Sequence, residues 1–250
     1  MGPGLMTGRH LVVVDVESTG LDPARHVPVE VAAINVTTGE ELYFVPQLTS
    51  DQLGAADPRA MQINRYYERG LFARAMPFGE TRDWDRLFTM LQGNTLAGAN
   101  PRFDAAMLVA GYASAQRAGG GYIAPEESWH FRLADLSAYT AGVLGLDPTD
   151  LPGLDRCCEL CGVANEAPHT AMGDARATVA CFQVLAGLAA DGQVVGPASP
   201  KAATWPGVQL RLLLLLAGRA GGRQDFRGGC RGILARLGRR APGEGGVVGR

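Results

Sequence analysis

The chain has 250 residues, 46% of them hydrophobic and 19% charged, which suffices for one sizeable domain plus a tail, or for two small domains with buried cores. No apolar run approaches the roughly 18 residues of a membrane span, and the glycine-rich start from Gly2 to Gly8 lacks a secretory pattern, so a cytoplasmic protein without a membrane partner is expected. The formal charge of −2 divides into −9 over residues 1–190 and +7 over residues 191–250, and the acidic body argues against a protein that simply coats nucleic acid.

In chain order, residues 1–9 read as a disordered start. Residues 10–16 form a β-branched run expected to be a buried central strand. Residues 27–37 predict a second strand, and a turn at Thr38-Gly39-Glu40 leads into a third at 41–45. Helical patterning covers 57–69 and 81–91, the latter with Trp84, Leu87, Phe88 and Leu91 on one face. A short strand at 95–99 precedes a helix over 102–116 that Pro101 opens. Gly119-Gly120-Gly121 is a loop and not a phosphate cradle, since no Gly-Lys-Ser/Thr follows. Residues 131–136 suggest another strand leading into a helix over 137–144.

The helix predicted over Leu154–Cys161 carries Leu154, Cys157, Cys158 and Cys161 at i, i+3, i+4, i+7, and Gly162 ends it. That spacing favours buried thiols over a zinc site, because no second pair of ligands follows the Cys158-x-x-Cys161 pair. Cys181 and Cys230 make five, an odd number that does not suit a disulfide framework. Residues 171–186 predict a long final helix. The basic stretch 191–250, rich in Gly, Arg and Pro, reads as a mostly disordered tail with one helix near 209–217. Such a tail either contacts phosphates through counterion release or is a solvated appendage. Strands first, then interleaved helices and strands, predict an α/β protein with a mixed sheet.

Three acidic stretches carry the chemistry. Asp15 and Glu17 sit two apart on the expected central strand and so share a face. Two like charges there would cost several kcal/mol unless a cation neutralised them. Asp104, in Asn100-Pro101-Arg102-Phe103-Asp104, falls in a helix first turn, where the helix dipole alone would explain it. His169-Thr170-Ala171-Met172-Gly173-Asp174 opens the last helix, with His169 hanging from the preceding loop towards an attacking water.

Taken together, Asp15-Val16-Glu17-Ser18-Thr19-Gly20-Leu21, Asn100-x-x-Phe103-Asp104 and His169-x-Ala171-x-x-Asp174 resemble the three signatures of the DnaQ-like, DEDDh 3′–5′ exonucleases. That family includes the proofreading subunit of bacterial replicative polymerase, RNase T and oligoribonuclease. The resemblance runs from about His10 to Ala186, and Glu30, Asp135-Leu136 and residues 154–163 also look like recurrent family features. It implies a ribonuclease H-like exonuclease domain over residues 10–190. It further implies two Mg²⁺ or Mn²⁺ ions held by Asp15, Glu17, Asp104 and Asp174, roughly 3.5–4 Å apart. One ion would activate water, and the other would stabilise the leaving 3′ oxygen. His169 would be the general base. Backbone groups of Thr19 and Gly20 would meet the terminal nucleotide and Leu21 would wedge against bases, while Asn100 and Phe103 complete the substrate-binding set, Phe103 packing rather than stacking. The implied partners are 3′ ends of single-stranded DNA, favoured over RNA, and a polymerase or other replication protein. Ala99, where many relatives carry His, and the long glycine-rich stretch 113–127 depart from the pattern and bear on substrate preference. The competing readings are a non-catalytic binding module on the same fold and a phosphodiesterase for small nucleotides.

Overall fold

The structure is a computed structural model and describes residues 8–121 and 126–191. Most of the expected N-terminal start lies outside those residues. So does the basic tail beyond Asp191, with the helix expected near 209–217 and with Cys230.

A five-stranded sheet forms from β1 (Leu11–Ser18), β2 (Pro28–Asn35), β3 (Glu41–Phe44), β4 (Thr95–Gly98) and β5 (Ala134–Asp135), in the order β3-β2-β1-β4-β5. β1 pairs antiparallel with β2 and parallel with β4, which makes it the centre of a mixed sheet. β2–β3 is antiparallel and β4–β5 parallel. Alternation along β1 sends Val12, Val14 and Val16 into one core, shared with Trp84, Leu87 and Leu91 of α3 (Arg82–Leu91) and Met107 and Leu108 of α4 (Pro101–Ala118). The opposite face carries Asp15 and Glu17. Over it packs α7 (Ala171–Ala190), supported by α5 (Leu136–Leu144) and α6 (Leu154–Cys161). The sheet therefore lies between two helical layers, the arrangement of a ribonuclease H-like fold.

Two expected elements come out at half their expected length or less. The helix expected over 57–69 stops as α2 (Pro58–Ile63). Asn64 ends it because its side-chain amide donates to the Ser18 carbonyl at 3.0 Å and its Oδ1 accepts from the Tyr66 amide, while Arg65 turns to φ 53°. The strand expected over 131–136 is only Ala134–Asp135, since Asp135 immediately caps α5 by accepting from the Ala138 amide. One helix went unanticipated: α1 (Ser50–Gly54), closed by a reciprocal capping box between Thr49 and Gln52. A 3₁₀ turn also forms at Leu71–Arg74. Cys157, Cys158, Cys161 and Cys181 are buried thiols between α6 and α7. Among the described residues no helix is long and apolar enough to cross a membrane.

Candidate active site

The end of β1 brings Asp15 and Glu17 to the carboxyl edge of the sheet, where the first turns of α4 and α7 meet it. Asp104 enters from α4 and is 4% exposed. Its Oδ1 accepts from the Val16 amide at 3.1 Å, so a residue 88 positions away ties the helix to the strand between the two acids. Gly98 makes this approach feasible: a Cβ there would lie 3.0 Å from the Val14 carbonyl oxygen and 3.1 Å from Asp104 Oδ2. Asp174 enters from the first turn of α7. Thr170 caps that helix by accepting from the Gly173 amide, and Asn165 donates to Asp174 Oδ1 at 2.6 Å.

These four carboxylates are crowded together. Burial pushes Asp15 well above the usual carboxylate range, and Asp104, Asp174, Glu17 and Glu30 add to the push. Glu17 rises to about 7, again mainly by burial, then through Asp174 and Glu30, against a pull from Arg69. Asp104 rises to about 8 by burial, despite backbone donation from Val16 and from its own amide. Asp174 is raised by burial too, while Asn165 and His169 oppose the shift. Among the described residues no arginine or lysine forms an ion pair with any of the four.

His169 lies on the exposed rim with φ 58°, a left-handed conformation that strains a non-glycine residue by roughly 1–3 kcal/mol. Ligand atoms of Glu17, His169 and Asp174 all fall within 4.8 Å of one another. A hard divalent cation suits the carboxylates of Glu17 and Asp174 in this group; Asp15 and Asp104 lie outside it and act on the same corner through their charge.

The substrate-facing candidates separate. Leu21 is 82% exposed just beyond the acids. Thr19 is buried, its amide donates to the Val27 carbonyl and its carbonyl accepts from the Asp57 amide. Its backbone is thus committed inside the protein and anchors the loop rather than facing solvent. Gly20 lies under the His26 ring, which a Cβ would meet at 2.7 Å. Phe103 packs against the main core, and Asn100 is exposed at the start of α4. Sequence reasoning missed Asn165, an ordinary loop residue with no local signal, and the Arg69–Glu30 pair that borders the cluster.

The sequence matches the RNase T exonuclease family over residues 12–182. No curated protein matches it. Among solved structures, Escherichia coli exonuclease I in complex with a dT13 oligonucleotide is 20% identical with a TM-score of 0.54, covering 71% of this chain and 41% of that one. The exonuclease I structure described as suggesting how processivity is achieved gives 19% and 0.55, covering 84% and 46%. The moderately thermophilic enzyme of Methylocaldum szegediense gives 20% and 0.54, covering 72% and 41%. This chain thus spans less than half the length of those proteins, and what it shares with them is the fold. With the family matched over most of its length, the chain belongs to the RNase T-type, DnaQ-like exonuclease family.

Proposed function

We propose that the chain is a metal-dependent 3′–5′ exonuclease, with its catalytic domain at residues 10–190. It releases nucleoside monophosphates from the 3′ ends of single-stranded nucleic acid. One observation carries the reading: four carboxylates from three distant segments share one corner, Asp104 and Asp174 buried and Asp15 and Glu17 half-buried, without an arginine or lysine ion-pair partner among the described residues. Asp15, Glu17, Asp104 and Asp174 would hold two Mg²⁺ or Mn²⁺ ions. Bound there, such ions would acidify water and neutralise charge on the phosphate and the leaving oxygen.

The chain's own groups do the rest. His169, at the mouth of the cluster, takes a proton from the attacking water, a task suited to the side chain that exchanges protons nearest neutral pH. The Asn165 amide and the Val16 amide fix the carboxylates of Asp174 and Asp104 in orientation. Leu21 offers an apolar edge for the terminal base, and the Thr19 anchors hold that edge still. Asn100, exposed beside Asp104, is placed to meet the strand. DNA is ranked ahead of RNA because the exonuclease I structures include complexes with single-stranded DNA.

The test is digestion of DNA and RNA oligonucleotides, labelled at either end, with Mg²⁺ or Mn²⁺ and then with EDTA. Products shortened from the 3′ end, mononucleotide release, a DNA rate above the RNA rate and full block by EDTA are expected. Intact oligonucleotides under all metal conditions, or cleavage that survives EDTA, would overturn the proposal.

A further inference from the structure

We infer that Arg69 is a positioning residue for His169, acting through the backbone of the loop that carries it. This rests on the nuclease reading, in which His169 is the base.

Glu30 on β2 stands directly across from Glu17 in the β1–β2 register and is 1% exposed. Its Oε1 accepts from Arg69 Nη2 at 2.5 Å and from the Tyr43 hydroxyl at 2.7 Å. Its Oε2 accepts from Arg69 Nη1 at 2.8 Å and from the Ala171 amide at 3.4 Å. The planar guanidinium is thereby locked in a two-pronged grip that a lysine could not reproduce. Held so, Nη1 also donates to the Asn64 carbonyl at 3.1 Å and reaches the His169 carbonyl at 3.5 Å. One ion pair thus touches both flanks of the loop through two long contacts: the carbonyl of His169, which shares the two Nη1 hydrogens with Glu30 and Asn64, and the amide two residues on.

The loop's remaining polar contacts are local. Thr170 Oγ1 donates to the Ala167 carbonyl and accepts from the Gly173 amide, and the Asp174 amide donates to the Thr170 carbonyl. These bonds shape the turn and leave its polar attachment to the sheet with Glu30 and Arg69. His169 adopts a positive φ, a conformation that persists only when its surroundings over-determine it. Arg69 adds to that constraint from behind, with its guanidinium on the Glu30 side of the loop, while the His169 backbone bond to the Asp174 carboxylate holds the other side.

A double-mutant cycle on the full chain tests this, with single-stranded DNA as substrate and saturating Mn²⁺. Arg69→Ala should lower kcat by roughly 10–100-fold, as a displacement of about 1 Å can, with KM within about twofold of wild type. Arg69→Lys should recover part of that loss. In a His169→Ala background, Arg69→Ala should cost no more than about twofold further, because the residue through which it acts is gone. Hydrogen exchange of residues 165–173 should rise selectively in Arg69→Ala. A full additional loss in the His169→Ala background, a raised KM at unchanged kcat, or unaltered exchange in the loop would overturn the inference. A wild-type chain that digests no oligonucleotide would instead sink the nuclease reading, and the exchange measurement would still decide whether Arg69 holds the loop.

Discussion

Glu17 and Glu30 face each other across the β1–β2 pair, yet the fold treats them in opposite ways. Glu30 is satisfied: a bidentate arginine, a tyrosine hydroxyl and a backbone amide surround its carboxylate. Glu17 makes no ion pair among the described residues: Asp174 and Glu30 push on it, and Arg69, spent on Glu30, only partly offsets them. The contrast extends outward. Glu41 pairs with Arg176 and Glu40 with Arg86 on the β3 side, whereas Asp15, Glu17, Asp104 and Asp174 make no such pair among the described residues. A chain that matches a buried acid with arginine on one strand and withholds it on the next has left room for a cation from outside. Acidity alone is therefore a poor guide to a metal site; uncompensated burial is the better one.

The strongest way to break this contrast is on the Glu17 side. Asp15→Asn should reduce metal-dependent hydrolysis to the EDTA background in the oligonucleotide assay. Its metal-free thermal stability should stay level or rise, because a charge disfavoured by burial has been removed; wild-type turnover would end the assignment. His169→Ala should slow turnover by about 10²–10⁴-fold while Mn²⁺ still raises the melting temperature. An unchanged rate would make His169 a structural residue.

On the Glu30 side the sign reverses. Glu30→Gln should lower unfolding stability by on the order of 2 kcal/mol in urea titration, since removing one partner leaves a half-buried guanidinium uncompensated, short of the loss for a fully buried pair. A loss below about 1 kcal/mol would erase the difference between the two sides.

The smallest effect is the dependence on pH. Glu17 lies near 7 and Asp104 near 8, against ordinary values of 4.5 and 3.8, so the fold prefers their neutral forms. Their contribution is fully present below about pH 4 and is lost as pH rises through 7 and 8. Without metal, the melting temperature should therefore fall by a few degrees between pH 5 and pH 8. Divalent metal at a hundredfold excess over its dissociation constant should restore about 2.7 kcal/mol at the upper end. A flat profile with and without metal would contradict the crowding that distinguishes this side of the sheet.

The central strand and the cluster were legible for a simple reason. Three valines alternating with Asp15 and Glu17 announce both a buried strand and its face, and Asp104 and Asp174 each follow a recognisable helix start. What escaped was set by distant partners. The helix expected over 57–69 has adequate local propensity, but Asn64 spends its side chain on a carbonyl 46 residues away and the helix stops. Arg69 and Glu30 lie 39 residues apart with no periodic relation, so nothing local marks them as a pair. Thr19 was legible as part of a motif but not as an anchor, because Val27 and Asp57 bind its backbone from other segments.

The bond from the Val16 amide to Asp104 has one more consequence. It joins chain segments that leave the ribosome far apart in time, and Asp174 follows later still. A nascent chain holds at first only the Asp15 and Glu17 fragment of the cluster, and then the part that Asp104 adds. On the proposed reading, cutting power arrives only once the segment carrying Asp174 has folded onto the sheet, so a half-made chain cuts no strand.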